Sequence, residues 1–246
     1  MRVSSTEIQN SFGKYLNFAV ASEEIIITKN GKDIAKLVKC SEQDNIYEEA
    51  ELYENSYGQR IKYEEFLELN ENSDLRYEFI DGEIFNLASP SYAHQSAVLE
   101  LLGFFYIWFK GKKCRPVPSP FDVTLIKGEG SKNVVQPDII VICDSEAIDE
   151  KGKYRGVPAL VVEVLSPSSK KHDMIRKLDL YMKSGIKEFW LVDTEKKAVY
   201  VYSFEDRNIL DFTSFTNKES VCSAVFDGLK IPLEELFGRT LPGQNA

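Results

Sequence analysis

Three charged residues lie in or beside apolar segments, where their side chains could take part in a reaction. Asp138 begins the apolar run 138–142, Glu163 lies inside the apolar run 160–165, and Lys177 follows on a predicted helix. Burying a carboxylate in a β-branched strand is costly unless the acid is paired, protonated or bound to a cation. Two such acids with a lysine nearby are the groups that metal-assisted phosphodiester hydrolysis requires. The alternative for Glu163 is a structural salt bridge, with Lys177 as its natural partner.

The elements that must position these groups are strands and a helix in the second half of the chain. The two acidic runs are continuously apolar, which predicts strands covered on both faces. Residues 188–192 and 198–204 predict two more strands. On the helix that carries Lys177, we predict a buried stripe formed by Ile175, Leu178 and Met182, with Lys177 at its border.

Further elements are predicted before the acids. Residues 62–69 predict a short helix, and residues 76–86 predict two strands around the tight turn Asp81-Gly82. Residues 91–110 predict a long helix that is apolar around most of its circumference and is therefore expected to be buried. His94 begins this helix and is expected to cap it or pack. The closing segment IPLEELF predicts a final helix or a docking strand.

Composition sets the class of protein. The 246 residues suit one large domain or two small ones, and a hydrophobic share of 43% is enough for a sizeable core. We find no apolar run long enough to span a membrane and no secretory signal, so we expect a cytoplasmic protein that does not bind membranes. The four cysteines are far apart in sequence. That spacing predicts free thiols in a reducing compartment rather than a disulfide or a zinc site.

The net charge of −9 is unevenly distributed, because residues 41–75 alone carry −9. Residues 1–40 carry +2 and residues 76–246 carry −2, so basic patches remain available outside the acidic segment. Residues 41–60 are acidic and lack clear periodicity, which predicts a solvated linker. We therefore predict a module at 1–40, a linker at 41–60 and a second domain at 61–246.

Residues 1–40 predict a small βααβ or βαββ unit. Ser4 and Glu7 fit a capping box, and an Asn-Gly pair separates IIIT from DIAKLV as in a hairpin. VSSTEIQNSFGKYLNFA and IIITKNGKDIAKLV resemble the prevent-host-death (Phd/YefM) antitoxin family. The resemblance implies a dimeric, DNA-binding module, with a toxin-like protein as a further partner, although no toxin-neutralising tail is recognisable. An oligomerisation or docking element is the alternative.

The second domain resembles the PD-(D/E)XK nuclease superfamily, and most closely the Uma family of restriction-endonuclease-like proteins. The motifs that carry the resemblance are YEFIDGEI, VQPDIIVI, LVVEVLSPSS, the spaced Asp173…Lys177…Tyr181, and GIKEFWLVD. The implied fold is α/β (α+β), a mixed sheet flanked by helices and preceded by the small antitoxin-like α+β unit. Leu165 departs from the superfamily pattern, because it occupies the usual lysine position. In the resembling family that lysine is carried by the following helix, which nominates Lys177.

The mechanism implied is hydrolysis by a Mg²⁺-dependent endonuclease, with Mn²⁺ as an alternative ion. Asp138 and Glu163 are expected to ligate the ion together with the Val164 carbonyl. Lys177 is expected to orient the attacking water and to offset developing negative charge. Glu78 is expected to act as a supporting acid or as an additional ligand. With two scattered histidines, we do not expect a histidine-based mechanism.

The expected substrate is nucleic acid, with DNA as the first choice. The protein is expected to be a homodimer. Candidate contacts are basic or polar side chains in both domains: Arg2, Ser4, Lys14, Lys170, Lys171 and Arg176. Contacts of this kind suit the phosphate backbone and carry no base specificity. A non-catalytic DNA-binding regulator that uses the nuclease fold as a scaffold is the alternative, and Leu165 motivates it.

Overall fold

The structure is a computed structural model that describes residues 1–10, 15, 24–29, 32–37, 60–128, 130–165, 172–216 and 218–238. The chain divides into two compact units, Met1–Asn55 and Ser56–Ala246. No helix in these described ranges is long and apolar enough to cross a membrane.

The first unit follows the βαββ order in its described residues. Its elements are β1 (Arg2–Ser4), α1 (Ser5–Asn10), β2 (Ile25–Lys29) and β3 (Lys32–Leu37). β1 pairs with β2 in parallel, and β2 pairs with β3 antiparallel. The Ser4 half of the predicted cap is confirmed, because Ser4 Oγ accepts a hydrogen bond of 3.1 Å from the Glu7 backbone N–H. Val3, Ile8, Tyr15 and Ile25 form the small core.

The second unit alternates strands and helices. Its described helices are α2 (Tyr63–Glu71), α3 (Tyr92–Phe109), α4 (His172–Lys183) and α5 (Leu233–Phe237), with a short 3-10 helix at Ser145–Ala147. Its first strands are β4 (Tyr77–Ile80), β5 (Glu83–Asn86), β6 (Arg115–Pro118), β7 (Val123–Lys127), β8 (Ser131–Val135) and β9 (Ile139–Ile142). The later strands are β10 (Leu160–Val164), β11 (Glu188–Asp193), β12 (Ala198–Glu205), β13 (Asn208–Thr216), β14 (Ser220–Cys222) and β15 (Lys230–Pro232).

A mixed sheet of order β13-β12-β11-β10-β9-β6 forms the centre of this unit. β10 is parallel to β11 and antiparallel to β9, so both acidic runs lie side by side in its interior. α3 and α5 pack on one face, where Leu101 and Phe105 contact the sheet core. α4 packs on the other face through Leu180 and Tyr181. This confirms the predicted mixed sheet flanked by helices.

A second sheet, of order β5-β4-β8-β7, brings β4 next to the main core. The predicted turn between β4 and β5 is confirmed, since Asp81 and Gly82 have φ of 52° and 88°. Both positive values suit the tight hairpin turn, whose twist matches that of the strands. The closing segment forms the strand β15 followed directly by the helix α5. Both alternatives predicted for it, a helix and a strand, are therefore present.

The long helix, which was predicted to be buried, is buried along one side only. α3 buries Ala97, Leu101 and Phe105, but Leu99 and Tyr106 are 65% and 63% exposed. The reason is geometric, because the sheet covers only one side of the helix. The sequence pattern also missed β6, whose two prolines weaken a strand prediction. Pro116 and Pro118 are tolerated because β6 is an edge strand.

The prediction of free thiols is wrong for two of the cysteines. Cys114 and Cys143 form a disulfide, with their Cα atoms 4.1 Å apart. They are 29 residues apart in sequence, but β6 pairs antiparallel with β9 and brings the ends of these strands together. Cys222 remains a free, exposed thiol, and Cys40 lies outside the described residues.

Candidate active site

Adjacent strands position the two acids. Val162 on β10 pairs with Ile139 on β9, so continuing this antiparallel ladder by one residue places Glu163 opposite Asp138. Glu163 shares the α4-facing side of β10 with Val161, because side chains alternate along a strand. The site therefore lies at the end of two central strands, between the sheet and α4.

Lys177 on α4 lies between two carboxylates. Its Nζ is 3.1 Å from Glu163 Oε1 and 3.0 Å from Glu78 Oε2. Lys177 is 5% exposed and Glu78 is 1% exposed, so these charges compensate one another away from solvent. The Tyr181 hydroxyl also donates a hydrogen bond to Glu163 Oε1. The salt bridge considered for Glu163 is thus present, and it includes Glu78 as well.

The predicted stripe of α4 is wrong for Ile175, which is 67% exposed, whereas Leu178 and Met182 are partly buried and pack against the sheet core as predicted. Lys177, predicted at the border of this stripe, is buried together with Leu180 and Tyr181. An ammonium group can occupy the buried face because Glu78 and Glu163 neutralise it there. The four-residue spacing of Lys177 and Tyr181 is the signal that could have shown both side chains on one face.

Glu78 reaches the site from β4 in the second sheet. Its Oε1 accepts a hydrogen bond of 2.9 Å from the Gln136 backbone N–H, and the Gln136 side-chain amide donates to Asp122 Oδ1 at 2.8 Å. Because Glu78 is held by a backbone donor and by Lys177, it fixes the position of the ammonium group. Whether Glu78 supports the reaction or binds an ion stays a prediction.

Asp138 is held by one backbone donor and lies beside an imidazole at the same oxygen. Its Oδ2 accepts a hydrogen bond of 2.7 Å from the Val164 backbone N–H and lies 3.1 Å from His94 Nε2. His94 stands in the first turn of α3, where its own backbone N–H donates to the N-cap oxygen Ser91 Oγ at 3.3 Å. Sequence reasoning assigned His94 only to capping or packing, because nothing local connects it with Asp138.

The site offers oxygen ligands of the kind that Mg²⁺ prefers. Among the described residues, no three His, Cys, Asp or Glu side chains come close enough to hold an ion together. Two carboxylates with a backbone carbonyl still fit Mg²⁺, because this ion usually keeps several waters and takes few protein ligands. A small cavity lined by Glu163, Val164, Leu165, Met174, Lys177, Phe189 and Leu191 opens at this point.

Some of the candidate phosphate contacts already bind other groups of the protein, and the others lie outside the described residues. Arg2 binds the carboxylate of Asp33 at 3.1 Å, and Ser4 caps α1. Arg176 binds Glu83 at 2.6 Å, which offsets much of its charge before any phosphate approaches. Lys14, Lys170 and Lys171 lie outside the described residues.

Glu188 is a further buried acid that the sequence did not single out. Its carboxylate accepts hydrogen bonds from Trp190 Nε1, Ser223 Oγ and the backbone N–H groups of Ala224 and Val225. Four neutral donors satisfy it at complete burial, so Glu188 anchors the turn between β14 and β15 to the sheet.

The mixed sheet, the two acids on neighbouring strands and the lysine beside them define a restriction-endonuclease-like protein. Residues 63–234 match the Uma2 family, described as "Putative restriction endonuclease". The chain belongs to this family, since the match spans most of its length. Residues 1–68 match the Phd/YefM antitoxin of type II toxin–antitoxin systems, which extends beyond the predicted module and overlaps the start of the Uma2 match.

The proteins similar to this chain include one curated relative and one solved structure. An uncharacterized protein, slr1290, of Synechocystis sp. (strain ATCC 27184 / PCC 6803 / Kazusa) is 28% identical over 149 residues, which cover 60% of this chain and 76% of that protein. The crystal structure of a "putative nuclease belonging to DUF820" from Anabaena variabilis ATCC 29413 superposes with a TM-score of 0.60 at 21% identity. That match covers 72% of this chain and 98% of the solved chain and supports the fold.

Proposed function

We propose that the chain is a Mg²⁺-dependent endonuclease that hydrolyses phosphodiester bonds in DNA. The observation that carries the proposal is the placement of Asp138 opposite Glu163, with the buried ammonium group of Lys177 3.1 Å from Glu163. This combines oxygen ligands for a hard cation with a fixed positive charge beside them.

Asp138, Glu163 and the Val164 carbonyl would hold the ion, and Mn²⁺ would suit the same oxygens. A bound divalent ion supplies charge that polarises a phosphate and lowers the pKa of a coordinated water. Lys177 adds a second positive charge for the phosphate oxygens and for the attacking water. Glu78 and Tyr181 act on the reaction indirectly, since Glu78 fixes the Lys177 ammonium and Tyr181 orients Glu163.

The position of Lys177 supports the idea that it takes the role of the lysine that the superfamily carries two residues after the glutamate. Leu165 follows Glu163 at the usual lysine position, and its hydrocarbon side chain can neither orient water nor offset charge. Lys177 is carried by α4 rather than by position 165, and its ammonium group contacts Glu163. The proposed site therefore still has an ammonium group beside Glu163, although position 165 carries a leucine.

A non-catalytic DNA-binding regulator is the second candidate. The observation that favours it is the closed salt bridge, in which Lys177 binds both Glu78 and Glu163 and so is shared between two acids. In this alternative the three residues only stabilise the fold. Ion binding and cleavage separate the two functions.

The experiment is cleavage of plasmid and single-stranded DNA by the full chain with Mg²⁺ or Mn²⁺, accompanied by ion binding measured by calorimetry. We expect cleavage by the wild type and none by Asp138→Ala. Asp211→Ala is the matched control, because Asp211 is an exposed acid on the edge strand β13 and should leave cleavage unchanged. A folded wild type that neither binds ion nor cleaves would favour the regulator.

For the first unit we propose DNA binding through Arg2, Ser4 and Lys14, with a toxin-like protein as a further partner. The match of residues 1–68 to an antitoxin supports this proposal. Arg2 would exchange its exposed partner Asp33 for a phosphate, which costs little because exposed ion pairs are weak. Dimerisation without DNA contact is the alternative for this unit.

We also propose that the chain is a homodimer whose copies meet at the exposed face of α3. Tyr92, Leu99, Tyr106 and Ile107 are between 61% and 74% exposed there. Four such side chains supply about 500 Å² per copy, toward the roughly 800 Å² of a standard interface. Glu100 is the single charged residue in the sequence of this helix, so a second copy fits the face better than a charged partner.

Gly103 adds an independent reason for a second helix at this face. A Cβ placed there would meet no atom within 4 Å, so contacts in the described structure do not require glycine. A glycine inside a helix costs about 1 kcal/mol relative to alanine. It does, however, allow the backbone of a second helix to approach closely, which an antiparallel α3 pair would use.

A further inference from the structure

His94 and Asp138 form a contact that the proposed roles leave without a purpose. His94 Nε2 lies 3.1 Å from Asp138 Oδ2, and the His94 side chain is 10% exposed. His94 Nδ1 is buried and has no hydrogen-bond partner among the described residues. A histidine buried against a candidate ligand can either bind the ion itself or hold the ligand.

The two ring nitrogens distinguish these possibilities. The Asp138 carboxylate is an acceptor, so a hydrogen bond across the 3.1 Å contact requires the proton to be on His94 Nε2. In that neutral tautomer Nδ1 is an acceptor, and leaving it without a donor costs less than burying an unpaired N–H. A histidine that bound the ion through Nε2 would carry its proton on Nδ1 and would normally donate it to a carboxylate, carbonyl or water. The described residues provide no acceptor there.

The two contacts of Asp138 show what His94 would achieve. The Val164 backbone N–H and His94 Nε2 both engage Oδ2, at 2.7 Å and 3.1 Å. With His94 Nε2 donating from α3 and Val164 N–H from β10, the plane of the carboxylate would be fixed. Rotation of the group would then be restricted, and Oδ1 would be the oxygen left for a ligand.

We propose that His94 is a positioning residue that holds Asp138 Oδ2 through Nε2 and so directs Oδ1 toward the divalent ion. This inference rests on the proposed function, since Asp138 is the ion ligand in it. The backbone of His94 is held in place within α3, because Ser91 caps the helix and the buried side chains of Ala97 and Leu101 pack its next turns into the core.

The test compares three substitutions in the full chain. His94→Gln can place an amide N–H near the position of Nε2, His94→Asn can place one only near Nδ1, and His94→Leu has no donor. Mn²⁺ and Mg²⁺ affinities are measured by calorimetry, with urea unfolding as the check on folding. We expect a 10- to 100-fold weaker affinity for His94→Leu, the scale for partners of a metal ligand. His94→Asn should resemble it, and His94→Gln should stay within a few-fold of wild type.

Gln95→Leu is the matched control, since Gln95 is exposed on the next position of α3. If His94→Leu does not fold, the two amide variants still carry the comparison, because they differ only in reach. Equal ion affinity in wild type and the donorless variants would overturn the inference and leave the nuclease proposal intact. Equal losses in His94→Gln and His94→Leu would make His94 a ligand instead. A wild type that binds no ion would overturn both proposals.

Discussion

At Lys177, an observed structural contact and a proposed catalytic role fall on the same residue. Its ammonium group neutralises Glu78 and Glu163, of which Glu78 is almost completely buried. Removing one partner of a buried ion pair leaves an uncompensated charge and typically costs about 3–5 kcal/mol. We therefore expect Lys177→Met to lower the free energy of unfolding by this order, measured by urea denaturation, and to reduce cleavage by about 10²- to 10³-fold.

The double variant Lys177→Met/Glu78→Gln separates these two effects. It removes one negative charge together with the positive one, so part of the lost stability should return while cleavage stays low. Lys187→Met, at an exposed lysine that follows α4, should change stability by no more than about 0.5 kcal/mol. Recovery of cleavage along with stability would contradict a catalytic role for the ammonium group.

α3 carries His94 beside Asp138 on one side and presents an apolar face outward on the other. An antiparallel α3 pair that crosses at Gly103 would bring the two copies of this residue together. Gly103→Cys, in a background with Cys40→Ser and Cys222→Ser, should then form an intermolecular disulfide on mild oxidation. Such bonds need Cα atoms about 4.4–6.8 Å apart, so non-reducing gels report the contact directly.

Lys132→Cys in the same background is the control, because Lys132 is exposed on β8 and lies outside the proposed contact. It should stay uncross-linked. If the protein is dimeric in solution while Gly103→Cys fails to cross-link, the copies meet at another surface.

Across the whole molecule, cleavage is proposed for the second unit and additional DNA contacts are proposed for the first. Each phosphate contact that is lost lowers the salt dependence of DNA binding by about one unit of slope. We expect Arg2→Ala/Lys14→Ala, in a non-cleaving Asp138→Ala background, to reduce that slope by about two, measured by fluorescence anisotropy across salt concentrations.

Lys187→Ala/Lys197→Ala is the control for this experiment, since it removes two positive charges from the second unit. Its slope should match that of the parent. An unchanged slope in Arg2→Ala/Lys14→Ala would indicate that the first unit dimerises without contacting phosphates.

Much of the molecule was determined by local sequence. The apolar runs gave β9, β10, β11 and β12, and the Asp81-Gly82 pair gave the β4–β5 turn, because periodicity and turn chemistry act over a few residues. The acids Asp138 and Glu163 were recognisable for the same reason, since charge inside an apolar strand is locally conspicuous. The resemblance of the motifs to the Uma family also predicted the fold.

Only the tertiary structure decided how these elements meet. Lys177 and Glu78 are 99 residues apart, and the disulfide joins residues 29 apart, so their pairing depends on strand order and packing. The pairing of His94 with Asp138 and the exposed face of α3 have the same origin. A pattern within one segment shows which of its side chains share a face, but the partner that covers the face is supplied by distant parts of the chain.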